Sequence, residues 1–408
     1  MNTHLPRFIQ ISTLITYPAS LLNRDDSGLS KRIPFGGVSR TRVSSQCLKR
    51  HWRMAEGAWS LQNVDDGIAT SVRSRNIFPR IVEQPLVEEG LDLTKVVAAS
   101  QVFQNELYGE KGTEAAAKKQ KAKKGQSEET ASEATLSPQR KELIVLGHPE
   151  IQFLKNAIRD LCAAGTDAED TKKKTAEWFK EHKKDFQALK CGAGLDAAMF
   201  GRFVSNDQDA RVSASVHVAH AFTVHAEESE TDYFTAVDDL DTAGTAHINA
   251  TELTSGIFYT YVVIDVPQLV SNIEGCAAGE WLKADRTVAA RLVKHLLHLI
   301  TTVTPGAKLG STAPYARPWF VLAEAGDVQP RTLADAFFTP VPLHGNMRAA
   351  ALTQLAQYVA DSDAMYGDGK DLRRWMASMY PSNIPGAEKV SVDAMGDALE
   401  KCILHPEQ

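Results

Sequence analysis

The chain has 408 residues, of which 43% are hydrophobic and 24% are charged, and its formal net charge is −6. These values are typical of a globular protein with a sizeable core, organised as two or three domains or as one large elaborated domain. No run of 18 apolar residues exists in the sequence, which excludes a membrane-spanning segment. The five scattered cysteines argue against a disulfide framework or a cysteine zinc site.

The first predicted element is a strand over residues 7–17, where β-branched residues alternate, and Pro18 ends it. The start of the chain lacks the basic and apolar regions of a signal peptide, so we expect a cytoplasmic protein. Residues 21–40 show no sustained period and contain glycine and proline, which predicts a long loop. Ordered loops of this length in compact domains are usually functional.

A basic amphipathic helix follows the predicted loop. Ser44 or Ser45 supplies the N-cap of a helix expected over residues 46–58. Apolar residues recur on one face of this helix at helical spacing. The opposite face is polar and basic, with Gln46, Lys49, Arg50 and Arg53.

The charge is distributed unevenly along the chain. Residues 1–60 contain nine basic and three acidic residues, a local charge of +6, so the remaining chain carries −12. Residues 225–241 contain seven acidic residues and neither lysine nor arginine. The basic end could bind a polyanion or pair with the acidic segment of another copy, and both segments could also be solvated surface. The net charge therefore does not exclude nucleic acid.

The region 61–190 is predicted to be helical with interruptions. Residues 111–140 almost lack large apolar residues, so we expect a disordered or mobile insertion there. Helices are expected at 149–163 and 170–189, the second with Trp178, Phe179 and Phe186 as its packing residues.

The second half of the chain mixes strands and helices. Strands are expected at 212–225, 255–267 and 319–325, and helices at 284–303, 332–337 and 347–361. This order predicts an α+β sheet covered by helices, with large insertions. A ferredoxin-like or RNA-recognition-type core fits the order.

Candidate metal-binding histidines lie on the predicted strand 212–225. His217 and His225 should share one face of that strand and His220 should face the other way, so the three do not gather around one ion. We therefore favour structural histidines.

Candidate catalytic residues are weak in this sequence. The pairs Asp25–Asp26 and Asp238–Asp239 could bind a metal or do acid–base chemistry, but adjacent carboxylates in loops are more often turn and cap residues. Residues 305–312 lack the spacing of a phosphate-binding loop. We expect no catalytic residue, no metal ion and no cofactor.

The basic helix and the loop before it are the stronger chemical signal. Phosphate binding needs Lys or Arg at helical spacing on one face, near a glycine-containing loop whose N–H groups can approach closely. Because nothing in this stretch reads bases, binding should be indifferent to nucleic-acid sequence. The stretch of eighteen residues contains Gly36, Gly37, Arg40, Arg42, Ser44, Gln46, Lys49 and Arg53.

The segment LNRDDSGLSKRIPFGGVSRTRVSSQCLKRHWR (22–53) resembles the signature of the CasC-type backbone subunit of Cascade, the type I-E CRISPR interference complex. In that family an NRDD motif precedes a short loop, then FGG, a basic strand and SSQSLKRA. Cys47 stands where the family often has serine, and His51–Trp52 replace small or Met residues, which should not disturb the polar face. Further motifs match in the same order: GRF (201–203), VAHAFTVH (218–225), DYFTAVDDL (232–240), GTAHI (244–248), SGIFYTYVVID (255–265) and PGAK (305–308).

The resemblance implies an α+β fold shaped like a right hand. An RNA-recognition-motif-like (ferredoxin-like) palm would span 1–60 and 191–340. A helical fingers domain would be inserted at 61–190, and a β-hairpin thumb would project at about 204–254. Residues 341–408 would be a C-terminal helical part packed on the palm. Several copies would stack head to tail in a helical filament along the CRISPR RNA spacer.

The resemblance also implies a set of RNA-binding residues. Lys31, Lys49 and Arg53 would grip the RNA backbone. The supporting residues would be Arg24, Arg40, Arg42, Ser44 and Gln46, and those around a kinked nucleotide would be Phe203, Phe234, Thr235 and Ile248.

The function implied is that of a non-catalytic, multi-copy scaffold in antiviral defence. It would bind CRISPR RNA and present it for pairing with target DNA. Its partners would be further copies of itself, other Cascade subunits and a recruited helicase-nuclease, and not a membrane. One alternative is an RNA-cleaving subunit like those of type III effectors, using a loop aspartate such as Asp25. Another is a monomer that binds single-stranded RNA.

Overall fold

The chain forms two compact units. The computed structural model describes residues 5–67, 70–109, 135–189, 193–202, 211–237, 245–367 and 369–407. Unit 1 comprises Met1–Val64, Val216–Pro267 and Asp285–Gln408, and unit 2 comprises Asp65–Ser215 and Gln268–Ala284. In the described ranges, each helix is too short or too polar to cross a membrane.

Strands of unit 1 form a ten-stranded sheet. Its order is β12-β11-β10-β1-β9-β7-β3-β2, and β6 and β8 also pair with β9. Neighbouring strands are antiparallel, except that β11 and β12 are parallel. The strands of the chain are β1 Phe8–Ser20, β2 Arg32–Phe35, β3 Val38–Val43, β4 Val72–Ser74, β5 Ile144–Leu146, β6 Val216–Val218, β7 Ala221–Thr223, β8 Ser229–Val237, β9 Thr245–Asp265, β10 Phe320–Gly326, β11 Leu372–Ser378 and β12 Ala387–Lys389.

Helices begin at polar caps in several places. The side chains of Ser44, Asp92, Asn346 and Ser391 accept hydrogen bonds from N–H groups in the first helical turn. The helices are α1 Ser45–Arg53, α2 Gln84–Glu88, α3 Leu93–Tyr108, α4 His148–Ala164, α5 Ala168–Ala188, α6 Leu195–Phe200, α7 Val266–Glu274, α8 Thr287–Thr302, α9 Leu309–Thr312, α10 Met347–Tyr366 and α11 Val392–Leu404.

The centre of the sheet is buried on both faces. Ile9 and Ile11 of β1 lie on one face, and Leu14 lies on the other, where it joins a cluster that includes Tyr259 and residues of α10 such as Leu355. Burial on both faces extends to the polar residues of β1, since Gln10, Ser12 and Thr13 are at most 3% exposed. The mixed α+β fold predicted from the sequence is confirmed.

The predicted strand 212–225 is interrupted by a bulge. Val216–Val218 pair with residues 262–264 of β9, whereas Phe222 and Thr223 pair with Tyr259 and Phe258, so the register slips by one residue between β6 and β7. The slip overturns the expected face-sharing of the histidines: His217 and His220 are exposed, and His225 is buried.

Two regions contain more strand than the sequence suggested. The predicted loop 21–40 contains β2 and most of the hairpin that β2 forms with β3. The C-terminal part, expected to be helical, also contributes β11 and β12 to the sheet. In β11, Leu372, Arg374, Trp375 and Met376 are all buried, a run of a few residues that helix-length windows miss.

Unit 2 is mainly helical, as expected for most of residues 61–190. Its core joins a π-helical segment, Ile77–Glu83, to α3, α4 and α5, and Trp178, Phe179 and Phe186 pack into that core as predicted. Short strands β4 and β5 pair with each other.

The predicted insertion 111–140 is described only in its last part. Residues 110–134 lie outside the described residues. In the rest, Ser137 and Arg140 are buried, which differs from the expected mobile linker. The reason is local bonding: the Ser137 N–H donates to Glu83 at 2.8 Å, and the Arg140 N–H donates to the Arg75 carbonyl at 3.2 Å.

Candidate nucleic-acid interface

The two glycines of the FGG motif form the turn between β2 and β3. Phe35 pairs with Val38, so Gly36 and Gly37 are a two-residue hairpin loop with φ values of 63° and 79°. Positive φ at both positions is what such a turn requires. A Cβ on Gly36 would overlap the carbonyl oxygen of Phe338, whereas a Cβ on Gly37 would meet nothing within 4 Å. Gly36 thus allows close packing, and Gly37 leaves the turn open on its other side.

Arg40 is fully buried behind this turn. Its guanidinium donates three hydrogen bonds to carbonyl oxygens: to Phe35 at 3.1 Å, to Thr223 at 3.0 Å and to Phe337 at 2.9 Å. These bonds tie the β2–β3 hairpin to β7 and to the segment before residue 338. In this structure Arg40 is a structural residue that fixes the hairpin, rather than a cation on the surface.

The NRDD motif holds the loop against α1. The Ser44 N–H donates to the Asn23 Oδ1 at 2.9 Å, and the Ser44 Oγ caps the helix by accepting from the Cys47 N–H at 3.3 Å. Asp25 accepts hydrogen bonds from the N–H groups of Ser27 and Leu29, at 2.9 and 3.0 Å. In this structure Asp25 therefore serves as a turn residue.

Lys31, Arg42 and His220 form a cationic cluster, as this group is called below. The backbone N–H of Arg42 donates to the Lys31 carbonyl at 2.8 Å, and its side-chain Nη1 donates to the His220 Nδ1 at 2.9 Å. Partial desolvation of the exposed His220 ring lowers its pKa, and the charges of Arg42 and Lys31 lower it further. The histidine is therefore held neutral in a positive electrostatic environment, which an anion would relieve.

The same positive environment reaches the first turns of α1. Burial raises the pKa of the Cys47 thiol, while the charges of Lys31 and Arg50 act in the opposite direction. Cations from the loop and from the helix therefore lie close to Cys47. Arg24, Gln46 and Arg50 are exposed, and Lys49 and Arg53 are half-buried on the basic face of α1.

The hairpin of β8 and β9 carries the second group of predicted residues. Phe234 is 40% exposed, and Thr235 lies opposite Ile248 in the hairpin register. Phe203 and the side chain of Ile248 lie outside the described residues. Sequence reasoning missed Lys308, whose Nζ lies 5.3 Å from the centroid of the Phe234 ring. Lys308 belongs to the PGAK motif and is 74 positions from Phe234 in the sequence, so only the folded chain brings the two side chains together.

His225 has a structural role beside a cavity of about 570 Å³. Its Nε2 accepts the Ile257 N–H at 3.1 Å, so its Nδ1 donates to the Ala226 carbonyl at 2.7 Å. Burial lowers the pKa of His225, which keeps the ring neutral. This confirms the structural interpretation for His225. Within the described ranges, no three or more His, Cys, Asp or Glu side chains are grouped to hold a metal ion.

Comparison with known proteins defines the family. Residues 9–403 match the model of the CT1975-like protein family, Cas_CT1975, and the chain belongs to that family. Among solved structures, a chain of a structure titled "CRISPR RNA-guided surveillance complex, pre-nicking" is 27% identical, with a TM-score of 0.72 over 97% of this chain and 100% of that chain. A search of curated proteins gave no significant match. The resemblance to a Cascade backbone subunit inferred from the sequence motifs is thereby confirmed.

A second solved structure shows the same fold. It is titled "CRISPR RNA-guided surveillance complex", and its chain is 23% identical with a TM-score of 0.65, over 96% of this chain and 99% of that chain.

Proposed function

We propose that the protein is a non-catalytic, multi-copy backbone subunit of a type I-E CRISPR interference complex, which binds the CRISPR RNA spacer without sequence preference. The observation that carries this proposal is the convergence of cations from a loop, a strand and a helix at one surface. Lys31, Arg42 and Arg50 belong to these three elements. Arg42 bonds to the Lys31 carbonyl and to His220, and the charges of Lys31 and Arg50 both act to lower the pKa of the Cys47 thiol. Cations placed this way suit a phosphate backbone and carry no means of reading bases.

The similar structures support the assignment to such a complex, since both are titled as RNA-guided surveillance complexes. We propose that unit 1 is the RNA-recognition-like palm, that unit 2 contains the helical fingers, and that the β8–β9 hairpin is the thumb. Sequence recognition would be left to pairing between the guide and target DNA, with cutting by a recruited helicase-nuclease.

A salt-dependence experiment tests the proposed binding surface. The full-length protein is titrated against two labelled single-stranded RNAs of unrelated sequence at several salt concentrations. Lys49→Ala should weaken both affinities alike and reduce the slope of log K against log[salt] by about 0.7, the value for one phosphate contact with a single strand. Lys389→Ala is the matched control, because Lys389 is exposed on β12, at the opposite edge of the sheet from β2. Losses that depend strongly on RNA sequence would contradict the proposal.

The RNA-cleaving alternative gives a separate outcome. An enzyme using Asp25 would cut bound complementary RNA in the presence of Mg²⁺ at regular spacing, and Asp25→Asn would abolish the cutting. The hydrogen bonds that Asp25 accepts from Ser27 and Leu29 favour the turn role instead. Metal-dependent cleavage lost in that variant would replace the scaffold proposal.

A further inference from the structure

Three charged residues join the β8–β9 hairpin to the segment that carries Lys31 and Arg42 of the cationic cluster. The guanidinium of Arg32 donates to Glu227 through Nε and to Glu252 through Nη2. Glu227 lies just before β8 and Glu252 lies in β9, so one arginine links the two sides of the base of the hairpin. Arg32, Glu227 and Glu252 are called the ion-pair clamp below.

Each carboxylate also accepts a hydrogen bond through its second oxygen, one from the loop before β2 and one from β3. Glu252 accepts the Ser30 N–H at 2.6 Å, and Glu227 accepts the Ser39 hydroxyl at 2.9 Å. The Glu227 N–H in turn donates to the Ser39 carbonyl at 2.9 Å. The clamp therefore holds the chain immediately before Lys31 and on the facing strand of the β2–β3 hairpin.

The clamp is poorly suited to hold a phosphate directly. Two carboxylates surround one guanidinium, which leaves a local charge of −1. The carboxylate side chains are only 14% and 9% exposed, and that of Arg32 is 32% exposed. Partly buried pairs of this kind are screened by salt less than surface pairs. Arg32 thus differs from its neighbour Lys31, which belongs to the cationic cluster.

We propose that the ion-pair clamp positions the cationic cluster relative to the β8–β9 hairpin, so that Arg32, Glu227 and Glu252 are positioning residues for RNA binding. The inference rests on the proposed function. Without the clamp, Lys31 and the hairpin that carries Phe234 would sample separate orientations, and binding would have to restrict them. Loss of the clamp should therefore weaken RNA binding although no phosphate contact is removed.

The decisive experiment is a substitution for which simple electrostatics and the ion-pair clamp predict opposite effects on RNA affinity. Glu252→Gln removes a negative charge near a polyanion, so simple electrostatics predicts equal or tighter RNA binding. The clamp predicts binding about fivefold weaker, the lower end of typical coupling between sites. Glu230→Gln is the matched control: Glu230 is exposed on β8, and its register partner is Leu253, so it lies on the opposite face of the hairpin from Glu252. The full-length protein and a labelled single-stranded RNA are used.

A second variant separates positioning from direct contact. Arg32→Gln should weaken binding yet leave the slope of log K against log[salt] unchanged, and Arg32→Lys should restore part of the affinity. A slope lowered by about 0.7 would mean that Arg32 contacts phosphate, which overturns the proposal. Binding by Glu252→Gln as tight as by Glu230→Gln also overturns it.

Failure of the proposed function would be recognised separately. If the wild-type protein binds no RNA, the clamp is judged by hydrogen exchange of residues 30–39. Faster exchange in Glu252→Gln than in Glu230→Gln supports the link between loop and hairpin, and equal exchange refutes it.

Discussion

Replacing Gly36 by alanine would place a methyl group where the carbonyl oxygen of Phe338 lies. The backbone at Gly36 also has φ of 63°, a left-handed conformation that costs an alanine roughly 1–2 kcal/mol. To remove the overlap, the β2–β3 turn would have to move away from residue 338. Two interactions close to this contact, one hydrogen bond and one aromatic pair, would then weaken.

The first is the hydrogen bond from Arg40 to the Phe337 carbonyl, at 2.9 Å. A bond to a charged group contributes about 1.5–3 kcal/mol. The second is the edge-on contact of the Phe35 and Phe338 rings, whose centroids are 5.6 Å apart. Such a pair adds about 0.5–1.5 kcal/mol. With the backbone strain, we expect Gly36→Ala to lower the free energy of unfolding by about 3–6 kcal/mol.

Gly37→Ala is the matched control. Its φ of 79° brings similar backbone strain, but a Cβ there meets nothing within 4 Å. We therefore expect a loss of only about 1–2 kcal/mol. Urea unfolding of both variants, followed by tryptophan fluorescence and circular dichroism, measures the difference. Equal midpoints with equal slopes would refute the assignment of Gly36 to close packing.

Three further predictions concern charge. RNA should raise the pKa of His220, because phosphates offset the charges of Arg42 and Lys31 that lower it, so affinity should increase as pH falls; an NMR titration showing no rise contradicts this. Lys308→Met should weaken RNA binding and reduce the slope of log K against log[salt] by about 0.7, because one phosphate contact is lost. Phe234→Leu should weaken RNA binding and leave that slope unchanged. If both variants have the same slope, Lys308 does not contact phosphate. Burial lowers the pKa of His225 in the folded state, so the unfolded state binds more protons at low pH. The free energy of unfolding should therefore fall as the pH drops below about 6.5. Urea unfolding at several pH values should show a weaker pH dependence for His225→Gln than for the wild-type protein.

Local elements followed from the sequence because neighbouring residues determine them. The β-branched run of β1, the cap at Ser44 and the amphipathic period of α1 each need only a few adjacent residues. The end of α1 was less predictable: the helix stops at Arg53 rather than at Ala58. Trp59, which fits the helical period, instead stacks on His298 with ring centroids 3.6 Å apart.

The roles of individual cations depended on partners far along the chain. Arg40 and Arg42 are two residues apart on β3 and look equivalent in the sequence. Arg40 is buried and donates to the carbonyl of Phe337, 297 residues away, whereas Arg42 is half-buried next to His220. Arg32 looks like another surface cation until Glu252, 220 residues away, pairs with it.

The sequence by itself determined the α+β class, the positions of the longest helices and of several central strands, and the family, because short-range periodicity and ordered motifs specify these. It also placed the basic residues of the first 60 positions, the source of the local charge of +6. The tertiary structure alone decided which of those cations face solvent, which hold the fold and which are neutralised. The physical reason is that burial and ion pairing depend on distances across the folded chain, and the acidic residues Glu227 and Glu252 reach Arg32 only when the sheet has formed.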